Sequence, residues 1–172
     1  MNDASVTKQK AIDAITNKLS TLRGDELEHI RHVLDTIVEA RNDSMHYLGK
    51  FLGISEVDNG FMMELGKQNE NTYGVAQGGA IYTLADVAIG FSILNQLQGE
   101  EKVFTQELKV NFIKKGEGEF LYAKPSVLHF GKRTVVADCS IKDVNGQLIA
   151  QALGTFHVTR ARKEDIDEGD YV

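Results

Sequence analysis

The sequence predicts an α+β domain in which an antiparallel sheet curls around one long buried helix. Three observations lead there. The run GGAIYTLADVAIGFSIL is apolar on nearly every side, and between Asn71 and Gly99 the only formal charge is Asp86. Four segments after it alternate apolar and polar residues with the period of two that a half-buried strand requires. The last two of those segments are joined by DVNG, whose Asn145-Gly146 pair is a strong hairpin signal. A helix without a polar face must be surrounded, and the simplest surround this chain offers is the sheet that follows it.

Taken in order, residues 1 to about 47 read as helical. Ile12, Ile15, Leu19 and Leu22 recur at helix spacing, Gly24 breaks the run, and Asp25 is placed to cap a second helix. Leu27, Ile30, Val33, Leu34, Ile37 and Val38 give that second helix an apolar stripe. The expectation is an α-hairpin or a bent helix. Segments near 48–56 and 60–67 read as short strands separated at Gly60. The loop KQNENTYG leads into the apolar helix, expected over roughly 78–97. Four strands in meander follow. VFTQELKVNFI sets Phe104, Leu108, Val110 and Phe112 on one face, and KRTVVADCSIK does the same for Val135, Ala137, Cys139 and Ile141. Pro125, the only proline, points to an edge or a bulge in EFLYAKPSVLHF. QLIAQALGTFHVT closes the sheet, and the tail RARKEDIDEGDYV is polar enough to remain solvated.

Composition narrows the classes. A chain of 172 residues fits one domain with an appendage. The net charge of −6 disfavours a nucleic-acid or anionic-membrane surface, and residues 1–47 hold six Lys or Arg against eight Asp or Glu, so they are no basic arm. Cys139 is the only cysteine, which rules out an internal disulfide, fits a reducing compartment, and reads as a small buried hydrophobe. MNDASVTKQK has no apolar core of signal-peptide type, and the apolar helix is short for a membrane span and holds an acid at its centre. The expectation is a cytoplasmic protein. There is no zinc pattern, no dinucleotide fingerprint, and no G-x-S-x-G elbow; His29 and His32 are spaced i, i+3 but no carboxylate–cysteine cluster joins them into a site, and His46, His129 and His157 are scattered.

One constellation carries chemistry. Gly78 and Gly79 open the long helix, where the first N–H groups lack intrahelical partners and the helix dipole is positive. Glycine there lets a ligand approach the backbone, and such an end can stabilise an oxyanion. Asp86 lies seven residues on, on nearly the same face and about 10 Å along the axis. A carboxylate in apolar surroundings needs a partner, water or a substrate. Two readings stay open for it: a catalytic acid facing a cleft, or a buried polar group tied to a neighbour such as Thr83.

Asn71, Gly78-Gly79 and Asp86 at this spacing, with Thr105 in the following strand and the ending NGQLIAQALGTFHV, resemble the hotdog-fold thioesterases, specifically the PaaI-like acyl-CoA thioesterase family. The resemblance covers roughly residues 48–159, leaving 1–47 as a helical extension and 160–172 as a polar acidic tail. It implies hydrolysis of acyl-CoA to free acid and coenzyme A without a cofactor or metal. It further implies that Asp86 is nucleophile or general base and that the Gly79 N–H is an oxyanion donor; Thr105 reads either as the residue that binds the attacking water or as a plain strand residue. Asn71 would bond near the reacting group or fix its loop. The resemblance also implies paired subunits, a homodimer and then a dimer of dimers, with the Gly-Gly end of one facing the acid of the other. One departure stands out: Gln77 occupies the place where the family usually has His, and its amide can donate but cannot take up a proton.

Lys132 and Arg133, at a strand turn, could meet the phosphates of coenzyme A; a solvated hairpin tip explains them as well. Phe61, Met62, Met63, Phe91 and Phe112 are expected to line an apolar acyl site. Two rivals differ in class. One is a non-catalytic acyl-CoA sensor of transcriptional-regulator type, with the N-terminal helices on DNA. The other is a hotdog dehydratase, whose base is usually a His that this helix lacks.

Overall fold

In a computed structural model, residues 3–160 are described. The polar tail expected at 160–172 therefore falls, from 161 on, outside the described residues. The chain divides into two compact units, Met1–Ser44 and Met45–Val172.

In the first unit, α1 (Asp3–Leu19) and α2 (Gly24–Glu39) are joined by a turn in which Ser20 and Thr21 donate their hydroxyls back to the carbonyls of Asn17 and Lys18. Arg23, not Asp25, occupies the N-cap of α2; its N–H donates to Glu26 at 2.9 Å, and Asp25 sits in the first turn.

The second unit is the hotdog. A six-stranded antiparallel sheet, in the order β1-β2-β4-β5-β6-β3, wraps α4 (Gly78–Leu94), which touches every strand from β2 to β6. The strands are β1 (Ile54–Val57), β2 (Gly60–Glu64), β3 (Glu101–Phe112), β4 (Phe120–Phe130), β5 (Thr134–Asp143) and β6 (Leu148–Arg160). A short α3 (Tyr47–Phe51) stands where a strand was expected from residue 48, so only its second half, from Ile54, is extended. The long helix ends at Leu94, three residues before the expected limit, with Asn95 as its C-cap.

Topology corrects the expected four-strand meander. β4, β5 and β6 do form one, but β3 crosses over and pairs with β6, becoming the edge strand. The turn between β5 and β6 is the one the Asn-Gly pair announced: Gly146 has φ of +77°, and Asp143 accepts the N–H groups of Asn145 and Gln147. Pro125 lies beyond the reach of β2, which pairs only with residues 120–123 of β4, so its missing N–H costs no ladder bond on that side.

The core is built as the alternation in β5 demands. Val135, Ala137, Cys139 and Ile141 are all fully buried, packed with Leu84, Ala85, Ala88 and Ile89 of α4. Burial and the neighbouring Asp138 push the Cys139 thiol up to about 12. β3 departs from simple alternation. A bulge between Thr105 and Glu107 leaves Gln106 unpaired, and the facing parity changes there. Val103 and Thr105 point inward before the bulge and Leu108 after it, while Phe104 is 53% exposed on the other face, contrary to the expected stripe. Gly154 sits opposite Leu108; a Cβ there would collide with Phe156, Leu108 and the Glu107 carbonyl, so the bulge needs glycine on its partner strand.

Candidate active site

One face of α4 runs from exposed Gly79 through half-buried Thr83, Asp86 and Gly90, residues that recur at helical spacing. Toward β3 this face meets Thr105, whose hydroxyl donates to Asp86 Oδ1 at 2.8 Å. Because the bulge turns Thr105 inward without displacing Leu108 from the core, it is the local distortion of β3 that presents the hydroxyl to the acid. Thr83 is not the partner of Asp86: it donates to the Gly79 carbonyl one turn back, at 3.0 Å.

Beside this pair lies a cavity of about 170 Å³, lined by His46, Asp86, Val87, Gly90, Phe91, Leu94, Val103, Thr105 and Phe156. Asp86 is thus neither sealed in hydrocarbon nor tied off. Thr105 binds one carboxylate oxygen, and the other has no partner among the described residues. Of the five residues expected to line an acyl site, only Phe91 does so. Phe61 and Met63 are core, Phe61 backing Phe91 at a ring-centroid distance of 5.8 Å; Met62 is half-buried on β2; Phe112 stands against Gly78 instead. In their place Val87, Leu94, Val103 and Phe156 supply the apolar wall.

The helix start is a separate place. Gln77 is the N-cap of α4, its Oε1 accepting from Gly78 N–H at 3.1 Å, while its main-chain N–H donates to the Asn69 carbonyl at 2.8 Å. The Gly79 N–H, in the first turn, has no partner among the described residues, and a Cβ at Gly79 would meet nothing within 4 Å. Asn71 shapes the loop leading in: its Oδ1 accepts from Tyr73 N–H at 2.9 Å and Val75 N–H at 3.4 Å. Within one chain, then, Asp86 and Thr105 come together with the cavity. Gly78, Gly79, Gln77 and Asn71 cluster about two turns away, at the helix start. Lys132 and Arg133 are exposed in the β4–β5 turn, where the Arg133 carbonyl accepts from Val158 N–H.

Besides the four apolar wall residues, sequence reasoning passed over His46 and Gly90. His46 was one of several scattered histidines, and nothing local links it to Asp86, 40 residues away. Gly90 lies mid-helix, where glycine costs about 1 kcal/mol relative to alanine. That cost was the available signal, because a Cβ at 90 would meet nothing within 4 Å of the chain itself.

Among the described residues no cluster of three or more His, Cys, Asp or Glu could hold a metal ion, and no helix is long and apolar enough to cross a membrane.

Comparison with known proteins agrees with this geometry. Residues 73–150 match the thioesterase superfamily. A Saccharolobus solfataricus protein with a provisional esterase name is 40% identical over 88 residues, which cover 51% of this chain and 57% of that protein. The 1,4-dihydroxy-2-naphthoyl-CoA hydrolase of Listeria monocytogenes is 25% identical over 101 residues, covering 59% of this chain and 82% of the hydrolase. The chain thus spans little more than half the length of the first of these relatives. Among solved structures, the BH2602 protein of Bacillus halodurans, crystallised with CoA, superposes with a TM-score of 0.76 at 27% identity, covering 86% of this chain and 99% of that one. The wrapped helix and the sheet around it form a hotdog fold, and the stretch similar to the thioesterase superfamily, residues 73–150, lies within it.

Proposed function

We propose that the protein hydrolyses acyl-CoA thioesters, releasing a carboxylic acid and free coenzyme A. The observation that carries this reading is the Thr105–Asp86 pair opening on a mostly apolar cavity. The carboxylate has one oxygen held and one free, which suits it to draw a proton from water or to attack the thioester carbon itself. Thr105 fixes the carboxylate's orientation and is placed near any water bound there. As general base, Asp86 takes a proton from water, whose oxygen attacks the thioester carbon to form an oxyanion; collapse breaks the carbon–sulfur bond and the departing thiolate takes that proton back. As nucleophile, Asp86 forms an anhydride with loss of the thiolate, and water then cleaves the anhydride to release the acid, restore the carboxylate and leave a proton for the thiolate.

The oxyanion needs a donor, and the Gly79 N–H is the one at hand. Seven residues of helix put it about 10 Å along the axis from Asp86, too far for both to touch one carbonyl in a single chain. The reading therefore takes two copies, with the glycine end of one α4 facing Asp86 of the other, as the family resemblance implies. A homodimer, and a dimer of dimers built from it, follows. Gln77 would offer its amide beside the oxyanion, Asn71 would hold the loop that presents Gly79, and Gly78 would leave room for the thioester. Lys132 and Arg133 would meet the coenzyme's phosphates. The site calls for no metal or redox cofactor, and the compartment would be the cytoplasm. Residues 1–47 would form an extension to a catalytic domain over 48–159.

The test is thiol release from a panel of acyl-CoAs of increasing size, with light scattering to report the assembly. Hydrolysis by a dimer or tetramer is expected. A folded protein that hydrolyses none of the panel would overturn the reading.

A further inference from the structure

The cavity beside Asp86 carries three polar side chains, and two of them, Asp86 and Thr105, are partners. The third is His46, which belongs to neither α4 nor β3. It is the N-cap residue of α3, and its Nδ1 accepts the Gly49 N–H at 3.1 Å. Gly49 is buried, and a Cβ there would collide with the Met45 side chain and touch the edge of the His46 ring, so glycine lets the turn bring its N–H to Nδ1; the rest of the ring is exposed.

A ring nitrogen that accepts from an amide keeps its lone pair, so the proton of the neutral imidazole lies on Nε2. Nε2 then has a hydrogen to give and no lone pair to take one. It has no partner among the described residues. A histidine held this way is a poor general base from its cavity side and a good, oriented hydrogen-bond donor. The remaining wall, Val87, Phe91, Leu94, Val103 and Phe156, offers only dispersion contacts.

We infer that His46 is a specificity-determining residue: its Nε2–H donates to an oxygen on the acyl group seated in this cavity. The inference rests on the hydrolase reading and narrows its substrate. At about 170 Å³ the cavity compares with an apolar cavity of about 150 Å³ that holds benzene, so the acyl group is of the order of one ring or a short branched chain. The oxygen is a hydroxyl, ether or ketone on that group, distinct from the thioester carbonyl. An acyl group lacking it leaves the donor facing hydrocarbon, a mismatch worth roughly a factor of 10 in kcat/KM for a donor still reached by some solvent.

The experiment uses acyl-CoA pairs that differ by one oxygen: butyryl against 3-hydroxybutyryl, and benzoyl against its ring-hydroxylated isomers. They are assayed on the wild-type protein and on His46→Asn, because asparagine still caps a helix but is too short to reach the cavity. The wild type should favour at least one oxygenated partner about 10-fold. In His46→Asn that ratio should fall toward one, chiefly through a rise in KM for the oxygenated substrate, with the melting temperature held. Equal preference in both proteins would overturn the assignment and leave the hydrolase reading intact. So would a loss in His46→Asn that is uniform across substrates and confined to kcat, since that would place His46 in the chemical step. A wild type that cleaves no thioester would overturn both.

Discussion

The hydroxyl of Thr105 donates to Asp86 Oδ1 at 2.8 Å, joining an edge strand to the central helix across 19 residues of sequence. The bond orients the one charged group on the long helix and leaves its second oxygen facing the cavity. Replacing Thr105 by Val keeps the shape and removes the donor. A hydrogen bond to a charged group contributes about 1.5–3 kcal/mol, so kcat should fall roughly 10- to 100-fold if the orientation matters to the reaction. Steady-state kinetics of Thr105→Val, with Thr105→Ser retaining most activity, checks this.

Gly90 gives a prediction in which stability and activity part company. Its missing Cβ would touch nothing in the chain, so Gly90→Ala should stabilise the helix by up to about 1 kcal/mol. The same methyl projects into the cavity beside Asp86. Thermal unfolding should show a melting temperature that holds or rises, while kcat/KM falls most for the bulkiest acyl groups. A uniform change across acyl sizes would show that the substrate lies elsewhere.

Gly79 behaves differently under the same substitution. A Cβ there meets nothing within 4 Å, so Gly79→Ala should fold normally. Alanine keeps the N–H but crowds its approach, so turnover should drop with no loss of stability. Circular dichroism melts beside kinetics separate the two effects.

Cys139 is fully buried, and its thiol is held up to about 12 from 9.0 by burial and by Asp138. The folded protein should therefore resist alkylation at pH 8 and react once denaturant is added. The linkage has a definite sign. Between about pH 9 and 12 the unfolded thiol loses its proton while the folded one keeps it, so this group's contribution to stability is full below 9 and lost as pH rises through that window. Urea titrations at pH 8 and pH 10.5, on wild type and Cys139→Ala, measure it: the drop with pH should be smaller in the variant.

Much of this molecule was legible in residue order. The apolar character of residues 78–94, interrupted by a single charge, and the alternation in Val135, Ala137, Cys139 and Ile141 specify a wrapped helix and a half-buried strand, and both are present. The crossover of β3 to the far side of β6 was not legible, because alternation fixes which face of a strand is buried and is silent on its neighbour. The bulge at Gln106 had a trace in Gly154, a glycine inside a strand, but its location on the partner hides the connection. That bulge is also why Phe104 leaves the expected stripe and Thr105 reaches Asp86. Asp86 stood out as a lone charge. His46, capping a five-residue helix, became visible beside it only when the chain was folded.

The most direct test of the central claim is the rate of thiol release by Asp86→Asn, a near-isosteric change that removes the charge and keeps a hydrogen-bonding group for Thr105. With a melting temperature close to wild type, the rate on the best acyl-CoA should fall at least 100-fold, the lower end of what a positioned general base contributes, roughly 10²–10⁴. A folded Asp86→Asn protein that hydrolyses the same thioester at the wild-type rate would contradict the account.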